Sequence, residues 1–245
     1  MPFPTTHPAL AQALGAQGYR EPTPVQEAVL AAEPGRDLLV SAQTGSGKTV
    51  AFGLAAAEPL LGDAPRFDRA AAPLALVIAP TRELALQVSR ELEWLYREAG
   101  AIIATCVGGM DARREQRSLV AGSHIVVGTP GRLRDHLERG NLDLGSLRVV
   151  VLDEADEMLD MGFREDLEEI LDTTPAERRT FCSRRPSPRR SRPWPSATSA
   201  TRCESTPSAA TKPTATSSTA PSGWPRTRSR TRWSTCCATS RARAR

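Results

Sequence analysis

Five short apolar runs constrain the fold more than any other feature of this sequence. The runs are Asp37–Ser41, Leu74–Ala79, Ile102–Val107, His124–Gly128 and Arg148–Asp153. Each is nearly continuous in aliphatic residues, which is typical of strands that are covered on both faces. Helical periodicity separates them, over residues 47–58, 82–99, 111–120 and 130–139, and continues near 163–171. Alternating strands and helices predict an α/β fold with a doubly wound parallel sheet.

A Gly-rich segment follows the first apolar run, at a predicted strand end where ligands bind in such sheets. It reads Ala42, Gln43, Thr44, Gly45, Ser46, Gly47, Lys48, Thr49. The P-loop pattern GxxxxGK[ST] fits except at its first position, where Ala42 replaces glycine. Loop amides can wrap phosphates, Lys48 can reach the β- and γ-phosphates, and Thr49 can ligate Mg²⁺. An ordinary Gly-rich turn is the alternative.

Acidic residues end the run at Arg148–Asp153, as in the Walker B arrangement of nucleotide hydrolases. Asp153 can hold Mg²⁺, partly through water, and Glu154 can orient or deprotonate the attacking water. Acidic residues are also common at helix N-termini that have no catalytic role. The P-loop upstream favours nucleotide hydrolysis, with Asp153, Glu154 and Lys48 as catalytic residues.

Other short motifs narrow the function. In chain order the set is Gly18–Gln26, Ala42–Thr49, Pro80–Leu84 (PTREL), Gly108–Gly109, Thr129–Arg132 (TPGR) and Asp153–Asp156 (DEAD). Their order and spacing over residues 3–180 resemble the first RecA-like domain of DEAD-box ATP-dependent RNA helicases. The resemblance implies a RecA-like P-loop NTPase domain over residues 1–181, which couples ATP hydrolysis to RNA binding and local strand separation.

The resemblance also implies how the nucleotide is recognised. Gln26 corresponds to the Q motif, and its amide can pair with the N6 and N7 edge of adenine, so the expected cofactors are ATP and Mg²⁺. Tyr19 would stack on the base, beside the ATP-binding residues 42–49. Phe3 resembles an aromatic residue upstream of the Q motif, with a disordered terminal residue as the alternative.

Loops after three predicted strands form the RNA-binding set that the resemblance implies. The residues are Pro80, Thr81, Arg82, Gly108, Gly109, Thr129, Pro130, Gly131 and Arg132. Hydroxyls, helix N-termini and arginines can bind phosphates without reading bases, so we expect sequence-independent binding to single-stranded RNA. A structural role for Arg82 and Arg132, paired with acidic neighbours such as Glu83, is the alternative.

The composition changes after Phe181. Residues 182–245 contain thirteen Arg, one Lys and one acidic residue, but no Leu, Ile, Val, Met, Phe or Tyr. Such a segment cannot bury enough apolar surface to offset the entropy of ordering, so we expect a disordered basic tail. No membrane-spanning run, secretory signal or disulfide pattern is present in the sequence, which predicts a cytoplasmic protein without a membrane partner.

The family pattern breaks at the same place. DEAD-box helicases continue with an apolar strand that ends in Ser-Ala-Thr, followed by a second lobe. We expect this strand to be absent here, which would leave a gap in the sheet. Asp156, implied in interdomain coupling, would then lack its partner. The triplet Ser196–Thr198 comes too late in the chain and lacks an apolar strand before it, so we interpret it as unrelated.

A frameshift explains the tail through the genetic code. Read one base upstream from Ser183, the codons of residues 183–191 permit FSATLPPEI, which resembles helicase sequence where it is due. A genuine basic tail that binds RNA phosphates is the alternative. Without a second lobe, we expect no unwinding by this polypeptide. A non-catalytic nucleotide- or RNA-binding fragment and a P-loop ATPase of another class are alternative functions.

Overall fold

One sheet organises the computed structural model, which describes residues 3, 6–186 and 200–201. Its strands are β1 (Leu38–Ser41), β2 (Ala75–Ile78), β3 (Ile103–Cys106), β4 (Ile125–Gly128), β5 (Val149–Leu152), β6 (Arg179–Arg184) and β7 (Ala200–Thr201). They lie in the order β3-β4-β2-β5-β6-β1-β7. The first six are parallel, and β7 pairs antiparallel with β1. The predicted doubly wound parallel sheet is therefore confirmed.

Helices connect the strands. Within the described residues they are α1 (Pro8–Ala16), α2 (Pro24–Leu30), α3 (Lys48–Leu61), α4 (Arg82–Leu95), α5 (Ala112–Ala121), α6 (Pro130–Glu138), α7 (Ala155–Asp160) and α8 (Arg164–Asp172). In that part of the chain no helix has the length and apolar character needed to cross a membrane.

Three of the five apolar runs, β4, β2 and β5, lie side by side in the interior of the sheet, whereas β3 is at its edge. Every residue of β2, β4 and β5 is buried. His124, at the start of β4, has a structural role: its Nδ1 accepts from the Ile102 amide at 2.9 Å, and its ring stacks on Phe67. All six parallel strands direct their carboxyl ends to one edge, where the loops that carry the motifs meet.

The expectation that the strand after the DEAD segment is absent is wrong. Strand β6 lies between β5 and β1 and pairs in parallel with both, so the sheet has no gap there. Phe181 stacks on Phe52 with ring centroids 5.7 Å apart, and the guanidinium of Arg179 lies 4.9 Å from the Phe181 ring. Strand β6 therefore forms with few apolar side chains. Strands β5 and β1 on its two sides supply hydrogen-bond partners for its backbone.

The predicted boundary of the basic tail at residue 182 consequently falls inside a strand. The expectation of disorder is wrong for residues 182–184, which belong to β6, and for Ala200–Thr201, which form β7. The triplet Ser196–Thr198 and most of the predicted tail lie outside the described residues.

Candidate nucleotide-binding site and RNA-facing loops

The Gly-rich segment connects the end of β1 to the start of α3. Gly45 and Gly47 have φ angles of 81° and 84°, in the left-handed region that favours glycine. The buried Lys48 donates from Nζ to the carbonyl oxygens of Ala42 at 3.0 Å and Gln43 at 2.9 Å. Its ammonium group therefore lies within the loop that would surround the phosphates, as the P-loop pattern predicts.

Hydrogen bonds from Thr23 and Gln26, at the start of α2, connect the Q-motif segment to the P-loop. Thr23 Oγ1 donates to the carbonyl oxygen of Ser46 at 3.1 Å. The Gln26 side chain is fully buried; its Oε1 accepts from the Thr23 amide at 2.9 Å and its Nε2 lies 3.5 Å from the carbonyl oxygen of Gly47. Since backbone groups occupy this amide, pairing with adenine would require Gln26 to release the Thr23 N–H. Recognition of adenine by Gln26 stays a prediction.

Two aromatic residues near the N-terminus pack against the protein itself. The ring of Tyr19 stacks on Trp94 with centroids 5.6 Å apart. Phe3 is buried in the hydrophobic core, so it occupies a fixed place in the fold. Stacking of Tyr19 on a base stays a prediction.

The acidic segment meets the P-loop across the sheet edge. Thr44 Oγ1 donates to Glu154 Oε1 at 3.0 Å. Glu154 has φ 49°, and it is the one non-glycine residue with positive φ in the described part of the chain. Strained backbone of this kind concentrates at functional sites, where surrounding contacts hold it in place.

Ser183 supplies those contacts, and no sequence motif identifies it. Its hydroxyl donates to Asp153 Oδ1 at 2.6 Å and accepts from the Glu154 amide at 2.8 Å. One buried hydroxyl thus links both acidic residues to β6. Only the pairing of β6 beside β5 brings Ser183 to this position, and no local pattern predicts that pairing.

The electrostatics of the acidic segment follow from burial. Burial raises the pKa of Asp153, although the Ser183 hydroxyl and Lys48 oppose the shift. The hydrogen bond to Glu154 raises the pKa of the Glu157 carboxyl, with partial burial adding to the effect.

The predicted magnesium ligands fit a hard cation. Thr49 lies in the first turn of α3 directly after Lys48, and Asp153 follows β5, so both lie at the edge of the sheet that carries the P-loop. A hydroxyl and a carboxylate are oxygen ligands of the kind that Mg²⁺ prefers. A divalent cation would also favour the ionised form of Asp153, which burial alone disfavours.

Asp156 has a partner, contrary to expectation. Its carboxylate oxygens accept from the Arg185 amide at 3.4 Å, and Oδ2 lies 3.7 Å from Arg185 Nε. Strand β6 brings Arg185 to this place, so the residue implied in interdomain coupling is paired within the lobe.

The predicted RNA-binding loops lie together because β2, β4 and β3 are neighbours in the sheet. Thr81 caps α4 by accepting from the Leu84 amide at 3.3 Å, and Thr129 stands at the N-cap of α6. The exposed Arg82 lies with Nη1 3.5 Å from the carbonyl oxygen of Gly109. The remaining members of the set, Pro80, Gly108, Pro130 and Gly131, belong to the same loops and helix starts.

Arg132 differs from Arg82 because protein groups surround its guanidinium. Nε lies 3.3 Å from Glu115 Oε2, Nη1 lies 3.6 Å from Asp135 Oδ2, and Nη2 donates to the carbonyl oxygen of Met110 at 3.1 Å. The structural alternative therefore describes Arg132 in this structure. Its acidic partners are Glu115 and Asp135, not Glu83.

Comparison with known proteins gives consistent matches. A sequence profile described as DEAD/DEAH box helicase matches residues 23–202. The DEAD-box ATP-dependent RNA helicase CshA of Bacillus licheniformis is 44% identical over 182 residues, which cover 73% of this chain and 36% of that protein. CshA of Bacillus subtilis is 42% identical over 182 residues, with the same coverage of 73% and 36%.

A solved structure agrees with the sequence matches. The crystal structure of a DEAD box protein from the hyperthermophile Methanococcus jannaschii superposes with a TM-score of 0.66 at 34% identity. The superposition covers 76% of this chain and 49% of the other. The matched part of the present chain spans just over a third of the length of the two curated relatives, 36% in each case.

Proposed function

Because this chain belongs to the DEAD/DEAH box helicase family, we propose that it forms the ATP-binding lobe of an ATP-dependent RNA helicase. One contact carries the proposal: Thr44 Oγ1 donates to Glu154 Oε1 at 3.0 Å and joins the P-loop to the acidic segment. The groups that bind phosphate and the group that activates water therefore face each other at one edge of the sheet. The names of the curated relatives, which are ATP-dependent RNA helicases, support the same function.

ATP binds to the loop between β1 and α3. The loop amides and the N-terminus of α3 receive the phosphates, and Lys48 neutralises their charge from within the loop. Gln26 selects adenine once its amide turns from the Thr23 N–H toward the base. Guanine presents a carbonyl and N7 at this edge, both acceptors, so it satisfies the amide less well.

Glu154 acts as the base that receives a proton from the attacking water. Its left-handed backbone and the Thr44 hydroxyl hold the carboxylate toward the P-loop. Thr49 and Asp153 would hold Mg²⁺, which supplies charge neutralisation of the phosphates when bound.

RNA binds across the loops that follow β2, β3 and β4. Contacts with phosphates through amides, hydroxyls and Arg82 make the interaction independent of base sequence. Strand separation would need a second lobe to close over the nucleotide, and the described residues supply the first lobe, which binds ATP and RNA.

A non-catalytic nucleotide-binding fragment is the second candidate, and one observation favours it. Asp156 is paired with Arg185, as described above, so the residue implied in coupling is already engaged within the lobe. Such a fragment would bind ATP and hydrolyse none.

ATP turnover by the purified chain separates the two candidates. We expect slow turnover that Glu154→Gln abolishes while ATP affinity is preserved, because the amide retains the Thr44 contact but cannot accept a proton. ATP binding with turnover equal in the wild-type chain and in Glu154→Gln would establish the non-catalytic fragment. Absence of ATP binding by the folded chain would refute both candidates.

A further inference from the structure

The two arginines of the RNA-facing loops stand in different environments. Arg82 is exposed, and within the described part of the chain its one hydrogen bond is a long one to the carbonyl oxygen of Gly109. The Arg132 side chain is 18% exposed and contacts three protein oxygens, on Glu115, Asp135 and Met110. One hydrogen bond and two ion pairs hold this guanidinium, so an RNA phosphate would have to compete with Glu115 and Asp135 for its charge.

Glu115 is the buried anchor of this arrangement. Its Oε1 accepts from the Val107 amide at 3.1 Å, at the end of β3, and its Oε2 faces Arg132 on α6. One carboxylate on α5 thereby connects the loop after β3 with the helix after β4. Glu115 is almost fully buried, so the contacts are little weakened by solvent.

A series of side-chain contacts that ends at His136 orients the Glu115 carboxylate. The Gln116 amide donates to Asn141 Oδ1 at 3.0 Å, and the Asn141 amide lies 3.4 Å from His136 Nδ1. His136 Nε2 is then the atom that carries the proton and donates to Glu115 Oε2 at 2.8 Å. Both oxygens of Glu115 are therefore satisfied by protein groups.

The nearby Cys106 does not turn this cluster into a metal site. Cys106, Glu115 and His136 lie close enough to share an ion. However, a cation would have to displace the Val107 amide or Arg132 from Glu115. Burial and Glu115 also raise the pKa of the Cys106 thiol to about 12, which disfavours the thiolate that a metal requires.

The contacts of the two arginines fix how the loop after β3 presents its backbone. Arg82 faces the carbonyl of Gly109 and Arg132 binds that of Met110. The N–H of a trans peptide points opposite to its carbonyl, so the Met110 amide is directed away from Arg82 and the Asp111 amide away from Arg132. Within the described residues, the amides of Gly108–Asp111 donate no hydrogen bond.

We propose that Arg132 is a positioning residue, not a phosphate ligand, and that Glu115 anchors it so that the Gly108–Asp111 amides are held ready for an RNA phosphate. The inference rests on the proposed RNA-binding function and specifies which groups perform it. Arg82 interacts with the phosphate through its positive charge, whereas Arg132 and Glu115 hold the backbone of the loop after β3 in place.

Binding of fluorescent oligouridylate to the full chain over a range of salt concentrations tests the assignment. The informative variant is Arg132→Lys, because it keeps the charge but cannot reach three acceptors at once. We expect it to weaken binding about tenfold, as does Glu115→Gln, with the double variant little weaker than either single variant. The dependence of log affinity on log salt should not change, since no phosphate loses a cation.

Arg82→Ala is the matched comparison and Glu138→Ala the control. Arg82→Ala should reduce the salt slope by about 0.7, the value for one phosphate contact on single-stranded nucleic acid. Glu138 pairs with the exposed Arg134 on the same helix as Arg132, so its loss should change neither quantity. Wild-type affinity in Arg132→Lys, or a slope reduced in Arg132→Ala as in Arg82→Ala, would overturn the inference.

Hydrogen exchange of the RNA-free chain decides the assignment independently of RNA. Glu115→Gln and Arg132→Lys should speed exchange of the Val107 amide, which donates to Glu115 Oε1, while the P-loop segment and ATP affinity stay as in the wild type. Unchanged exchange in both variants would refute the positioning role. Failure of the wild-type chain to bind oligouridylate would instead refute the proposed RNA-binding function.

Discussion

A methyl group added at Gly47 tests the contact between the Q-motif helix and the P-loop. A Cβ at this position would lie 2.8 Å from Gln26 Nε2 and 3.4 Å from Thr23 Oγ1. Gly45 lies in the same loop with nearly the same φ, and a Cβ added there would meet no atom within 4 Å. The two glycines therefore differ in the Gln26 contact while sharing the same left-handed strain.

The expected destabilisation is the sum of the left-handed backbone strain and the clash with Gln26. Left-handed backbone costs a non-glycine residue about 1–2 kcal/mol, which applies to Gly45→Ala and Gly47→Ala alike. Gly47→Ala also pushes Gln26 from its place, which disrupts the capping box with Thr23 and costs about 1 kcal/mol more. For a lobe of this size, the additional loss lowers Tm by about 2–4 °C.

Thermal unfolding followed by circular dichroism measures the difference without nucleotide. Gly47→Ala should unfold at a lower temperature than Gly45→Ala in the wild-type background. In a Gln26→Ala background the crowded amide is absent, so the two alanine variants should become equal. Equal Tm values in the wild-type background, or a difference that persists without the Gln26 amide, would refute the reasoning.

Two further predictions concern the acidic segment. Ser183→Ala leaves Asp153 and the Glu154 amide without their shared partner, so we expect a loss of about 1–3 kcal/mol in the free energy of unfolding and slower ATP turnover. Ser89→Ala, which removes a buried hydroxyl on α4, should destabilise without slowing turnover, and equal effects on turnover would contradict the role of Ser183. Asp153→Asn should raise the Tm of the nucleotide-free chain at neutral pH and abolish turnover. Burial raises the folded pKa of Asp153 above its ordinary value of 3.8, so its contribution to stability is present below that value and is lost as the pH rises through the folded pKa. The gain in Tm should therefore vanish near pH 4, the ordinary pKa of an aspartate, and a lower Tm at neutral pH would contradict it.

The sheet was largely predictable because its strands are buried on both faces. Five predicted strands agree with β1 to β5 to within one residue at each end. Helices α1 and α2 were not predicted because they are short, with nine and seven residues, and α2 begins within the Q-motif segment. The motif loops were also placed correctly, since all parallel strands end at the same edge.

The features that the sequence did not predict have one physical origin, which is contact between residues far apart in the chain. Strand β6 contains too few apolar residues for a local pattern, and it forms because β5 and β1 offer backbone partners on both sides. Ser183 then reaches Asp153, thirty residues earlier. In the same way, Arg132 meets Glu115 only after α5 and α6 have packed beside β3 and β4.

Calorimetric titration of the purified chain with Mg·ATP and Mg·GTP tests the central claim most directly. Lys48→Ala serves as the matched variant, because it removes the cation from the P-loop and leaves the Q-motif contacts in place. The account predicts that ATP binds, that GTP binds more weakly, and that Lys48→Ala loses affinity for both. Equal affinity for ATP and GTP, or ATP binding unaffected by Lys48→Ala, would contradict it.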